Sequence, residues 1–178
     1  MTKTLTAAVL TVLALVLSAC GSNGDDQAAA QSISDSIMKA QKSSSDSASQ
    51  FFSMKRKDAD CIGKGLVDKI GTDQLKKYGL LTKDNKTKGD VTQVKMSAGD
   101  AKQATDVLFG CTDVEGMMQT AMDKSGSVPK AMKACVTKTL NEKNLRGMFT
   151  SIFQGQQQAA QKKLVTPMMK CATGAQGQ

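Results

Sequence analysis

Asp58-Ala59-Asp60-Cys61-Ile62-Gly63-Lys64-Gly65-Leu66-Val67-Asp68-Lys69-Ile70-Gly71 is the stretch whose reading decides the fold. Cys61, Ile62, Leu66 and Ile70 recur at helical spacing, which places Cys61 and Ile62 on the buried side of an amphipathic helix. Gly71 then ends that helix.

Working outward, Thr72 is the expected N-cap of a short helix from Asp73 to Tyr78, closed by Gly79. Thr82 to Gly89 reads as a polar, Lys-rich loop, and the alternation in Val91 to Met96 as an extended strip. Ser97 or Asp100 caps the next helix, which carries Ala101, Ala104, Val107, Leu108 and Cys111. It is expected to continue, with a bend at Gly110, through Val114, Met117, Met118 and Met122. Ser127 and Pro129 signal a fresh start, since Pro in the first turn forfeits no needed donor. The helix so opened bears Ala131, Met132, Cys135, Val136 and Leu140. Asn141 caps another, carrying Leu145, Met148, Phe149, Ile152 and Phe153 and ending at Gly155. The last runs from about Gln156 to Lys170, where Pro167 should kink it or shift its boundary.

The two halves resemble each other. Cys61-Ile62-Gly63-Lys64-Gly65-Leu66 matches Cys135-Val136-Thr137-Lys138-Thr139-Leu140. Each half then has a short helix with one key leucine, Leu75 or Leu145, and a third helix ending in a cysteine, Cys111 or Cys171. We read two copies of a three-helix unit, at 51–126 and 127–172. Cys61, Cys111, Cys135 and Cys171 are even in number, and in a chain expected to be exported that implies a disulfide framework. Four cysteines allow three pairings. The repeat favours Cys61 with Cys111 and Cys135 with Cys171, each tying a first helix to a third. The alternative joins Cys61 to Cys135 across the units and leaves Cys111 to Cys171.

Composition agrees with an all-α, disulfide-stapled domain. There are one Tyr, five Phe, no Trp, two Pro and eleven Met. Few aromatics with abundant Ala, Lys, Gln and Met favour helices over strands.

The first twenty residues carry a different signal. Lys3 precedes an apolar run from Leu5 to Leu17, broken only by Thr6 and Thr11, and small residues follow. This is the layout of a secretory signal, and the run is shorter than the roughly 20 apolar residues a bilayer span needs. Leu17-Ser18-Ala19-Cys20 resembles the lipobox of bacterial lipoproteins at all four positions. That resemblance implies cleavage between Ala19 and Cys20, a diacylglyceryl thioether on Cys20, and acylation of the new amino group. It places the mature chain on the extracytoplasmic face of the cell membrane, with residues 20–50 as a lipidated tether. Within that tether, Gly21 to Asp26 is flexible and Gln27 to Lys42 suits a short helix with a narrow apolar edge. The tail, 173–178, is expected to be disordered. In its cysteine spacing the mature part also resembles small helical envelope lipoproteins of Gram-positive type, a likeness without a functional motif.

Function is constrained mainly by exclusion. The chain has no His, hence no His base and no Ser-His or Cys-His pair. The acid pairs Asp58 with Asp60 and Asp113 with Glu115 are two apart, so on a helix they diverge. Zinc wants Cys or His at short spacing, which is absent here, and no Cys-x-x-Cys points to redox work. No cofactor is expected. Met117, Met118, Met122, Met168 and Met169 could offer thioethers to a soft metal, but Met more often fills irregular helical cores. The net charge of +8 draws an envelope protein towards anionic lipid or cell-wall polymer, although the charges look interspersed, as on a solvated Lys-rich surface. Nucleic acid is the wrong partner for that compartment. The expectation is a non-enzymatic binding or structural module, with a carrier of lipid or another hydrophobic ligand as the alternative.

Overall fold

Glycine at two positions of the deciding stretch lets three helices meet. In the computed structural model, which describes residues 24–43, 54–88, 94–124 and 129–174, that stretch lies in helix α2, Arg56–Ile70, preceded by α1, Gly24–Ser43. A Cβ on Gly63 would run into the carbonyl of Ala30 on α1. A Cβ on Gly65 would stand 2.7 Å from Cγ1 of Val107 on the opposite side. Both flanks of α2 are therefore approached closely, by α1 on one and by α4 on the other.

The remaining helices are α3, Thr72–Lys77; α4, Ala98–Cys111; α5, Val114–Lys124; α6, Lys130–Thr139; α7, Glu142–Phe153; and α8, Gln157–Gly174. Among the described residues there is no strand, only one isolated bridge between Leu81 and Thr87. The all-α class holds. In space the order of neighbours is α1, α2, α4, α7, α8, with α6 laid against α8.

Three apolar clusters fill the interior. Ala29 and Ile33 of α1 meet Val67, Leu75 and Leu81. Val94, Met96, Ala101 and Ala104 pack with Tyr78 and Phe153. Val114, Val136, Leu140, Leu145 and Cys171 form the third, ringed by Leu108, Phe109 and several methionines. The two leucines matched by the repeat, Leu75 and Leu145, are both 0 % exposed. Ile62 and its counterpart Val136 are buried as well.

The disulfides join Cys61 to Cys111 and Cys135 to Cys171, with Cα–Cα distances of 5.6 Å in each. This is the pairing the repeat favours. Cys61 itself stays exposed, contrary to the buried side expected for it, whereas Cys171 is 2 % exposed. The first bridge closes over the surface between α2 and α4, and the second reaches into the third cluster.

Several boundaries differ from the sequence reading. Helix α1 starts at Gly24, inside the expected tether, and is part of the core rather than a loose segment. Ala29 and Ile33 give it a buried edge, and Ser32, Ser34 and Ser36 add polar contacts that periodicity in apolar residues does not count. Thr72 is not a cap. It is the first helical residue of α3, and its hydroxyl donates to Asp26 Oδ1 at 2.6 Å, after Gly71 with φ 87° has made the turn. Helix α4 runs through Gly110 but does not continue into Val114 as expected. It stops at Cys111, Thr112 takes an extended conformation, and Asp113 Oδ1 accepts from Gly116 N to start α5 anew. Since Val114, Met118 and Met122 pack in the third cluster, α5 sides with the second unit rather than the first. Pro167 lies within α8, which continues to Gly174, two residues into the expected tail. The ring forfeits one backbone bond, to residue 163, while Leu164 and the bridged Cys171 hold the helix on both sides of it. Ser97 and Asn141 do cap α4 and α7, accepting from Asp100 N and Asn144 N at 3.1 Å each.

The signal region, Ala19 and Cys20, lies outside the described residues, as do Phe51, Phe52, Val91, Ser127 and residues 175–178.

Candidate functional site

Each polar grouping that the fold assembles has a structural duty, and those duties decide what chemistry is open to it. Where α1 meets α2, Ser34 donates to Asp60 Oδ1, and Arg56 bridges Asp35 at 2.5 Å and Asp60 at 2.8 Å. Ser34 is 1 % exposed, so its hydroxyl needs that acceptor. The Ser34 hydrogen bond, with Arg56 beside it, holds the Asp60 carboxyl below the usual carboxylate range. Asp35, and then Asp60, push the Arg56 guanidinium further up.

A folded-state value below the unfolded one means that Asp60 contributes stability at neutral pH. That contribution is lost as pH falls through the depressed value. Carbon-detected NMR titration should therefore place the Asp60 midpoint below about 3.9, the ordinary aspartate value. In Ser34→Ala the midpoint should rise. An unmoved midpoint would remove the serine as the cause.

The acid pairs do separate. Asp58 accepts from Lys55 N at the start of α2 while Asp60 turns to Ser34 and Arg56. Asp113 caps α5, and Glu115 sits in its first turn. Among the described residues, no group of three or more Cys, His, Asp or Glu is placed to hold a metal ion. The methionines also part company. Met117 Sδ accepts from Thr112 Oγ1 at 3.1 Å, and Met118 and Met122 pack around Leu145 with Met132 and Met148. Met168 and Met169 stand at the surface of α8, 43 % and 61 % exposed. Met118, Met122, Met132 and Met148 are thus partly buried against the third cluster, as Met packing allows.

Two of the surface grooves among the described residues gather charged side chains at helix junctions. One of about 470 Å³ lies where α1 starts beside α3, lined by Asp25, Asp26, Ile70, Thr72, Asp73 and Lys77. Asn85 closes this end with φ 58°, its Nδ2 donating to Asp25 Oδ1 at 3.0 Å. The other, about 680 Å³, runs between α4, α7 and α8. In it Arg146 reaches Asp106 at 3.0 Å and Glu142 at 2.7 Å, with its guanidinium 4.5 Å from the Phe109 ring centroid. Lys163 Nζ donates to Gly147 O at 2.9 Å and to Ser151 Oγ at 2.8 Å. These cations pin α7 between its neighbours. Sequence periodicity missed both groups because each draws residues 12 to 40 positions apart.

No protein-family model, curated protein or solved structure matches this chain. Among the described residues, no helix is long and apolar enough to cross a membrane.

Proposed function

We propose that this protein is a lipid-anchored, non-enzymatic module of the cell envelope. The observation that carries the reading is the lipobox Leu17-Ser18-Ala19-Cys20, with its cysteine only four residues ahead of Gly24, where α1 begins. Both disulfides support export, because such bonds persist in oxidising compartments. Each buried methylene adds about 0.8 kcal/mol to membrane attachment, so two or three acyl chains on Cys20 hold the chain firmly.

The short spacer has a mechanical consequence. Chain extends at most about 3.6 Å per residue, so the steps from Cys20 to Gly24 span no more than about 14 Å. Helix α1 is locked to α2, so the anchor acts directly on the folded domain and holds the Asp25–Asp26 end near the headgroups.

Intact mass of the protein isolated from its envelope tests this. The expected chain starts at Cys20, carries the diacylglyceryl and acyl additions, and lacks four thiol hydrogens. A Cys20→Ser variant should stay uncut or leave the membrane. If that variant is processed and retained like the parent, the reading fails.

A further inference from the structure

The net charge of the chain is not spread along it. Residues 20–128 carry fifteen Lys or Arg and fifteen Asp or Glu, while residues 129–178 carry eight of the first kind and one of the second, Glu142. Helices α6 and α8 contain no acid at all. The interspersed pattern expected from the sequence therefore describes the first unit only.

The fold concentrates this excess further. Arg146 takes up Glu142 and Asp106, and Lys133 pairs with Asp123. Lys130 and Lys138 of α6, Lys143 of α7 and Lys162 of α8 are exposed, and no carboxylate among the described residues pairs with them. On α8, Ala160, Leu164 and Cys171 face the core. Val165, Met168 and Met169, spaced to share a different face, are the large apolar side chains left exposed among the described residues, at 48 %, 43 % and 61 %. Lys162 falls on the flank of that face by helical spacing.

We propose that this face of the second unit docks on an anionic lipid surface, with Val165, Met168 and Met169 entering the headgroup layer, Lys162 at their flank meeting the lipid charge, and the positive excess of the unit adding to the attraction. An apolar strip on a helix with a basic polar side is the pattern of an interfacial helix, and the long stem of Lys162 lets its charge reach the headgroups while the strip is buried. A second copy of the chain is a poor occupant, because symmetric pairing would bring the same unneutralised lysines together. A wholly polar polyanion would leave the three apolar side chains uncovered. The proposal gives the module a second membrane contact, and it does not depend on the thioether at Cys20.

The chain has no tryptophan, so Met169→Trp introduces a fluorophore with no background. Its emission should be read in the full processed chain, on phosphatidylcholine vesicles and on vesicles mixing phosphatidylcholine with phosphatidylglycerol, both with brominated acyl chains. On the anionic vesicles emission should shift to the blue and be quenched at least about twofold, as expected for a ring at interfacial depth. Neutral vesicles should do neither, even where the anchor holds the protein on them. Adding Lys138→Glu and Lys162→Glu should reverse the shift, and high salt should weaken it. Val165→Trp is a second reporter with the same expectation, should Trp at 169 perturb the helix. Equal signals on both vesicle types, or none on either, would overturn the proposal. So would a blue shift that appears without vesicles and grows with protein concentration, which would assign the face to a second copy.

Discussion

A chain carrying Cys135→Ala and Cys171→Ala together is expected to lose about 4 kcal/mol of unfolding free energy, from the closed-loop entropy of a bridge spanning 36 residues. That is a large part of the roughly 5–15 kcal/mol typical of a whole domain. The reason lies in α6. It has ten residues, fewer than the roughly 12–15 an isolated helix needs, and within it Val136 alone is buried. Without the bridge, α6 keeps Val136, with Leu140 at its C-cap and Met132 partly buried, in the third cluster. Denaturant titration should show the loss, and hydrogen exchange should show α6 amides unprotected first while α2 and α4 stay slow. A loss below about 1 kcal/mol would mean that packing, not the bridge, secures α6. The Cys61–Cys111 pair serves as an internal comparison. Its loop is longer, at 50 residues, but α2 and α4 also share extensive packing, and Cys61 is exposed where Cys171 is buried. Mild reductant should therefore open the first bridge before the second.

Leu145→Ala is expected to cost about 3 kcal/mol, within the range of 2–5 kcal/mol for truncating a fully buried leucine. Leu145 is 0 % exposed and packs with residues of α5, α6 and α8. A cavity there loosens three helices at once, and the ring is rich in methionine, which can shift partly into the gap. That relaxation keeps the expected value below the top of the range. Thermal unfolding should fall by ~6–12 °C for a chain of this length. Leu145→Met, close in volume, should cost less than about 1.5 kcal/mol. If alanine proves as mild as methionine, Leu145 is not the centre of this cluster.

How far the sequence can be read is clearest at the two leucines. Leu75 and Leu145 hold matching positions in the repeat, and both are fully buried. The repeat also singled out one disulfide pairing from three. Its departures carry information too. Where the first unit has Gly63 and Gly65, the second has Thr137 and Thr139. The glycines mark the close approach of α1 and α4 to α2. Other features had no sequence mark. Ser34 with Asp60, or Arg146 with Asp106, are partners only because antiparallel helices bring distant positions level. Of the candidate sites, the proposed lipid attachment rests on a local motif, because a peptidase and a transferase would act on extended local sequence. The α8 face was not, because Val165, Met168 and Met169 look like core residues until another face of the helix is seen to fill the core.

By itself the sequence determined the helical class and the spacing of its cysteines, since helical periodicity depends on residues within a few positions of one another. The tertiary structure decided that α1 belongs to the core, that α5 sides with the second unit, and which apolar strip of α8 stays outside. Those outcomes depend on which helix comes to lie beside which, and burial of non-adjacent surfaces leaves no local pattern in the chain.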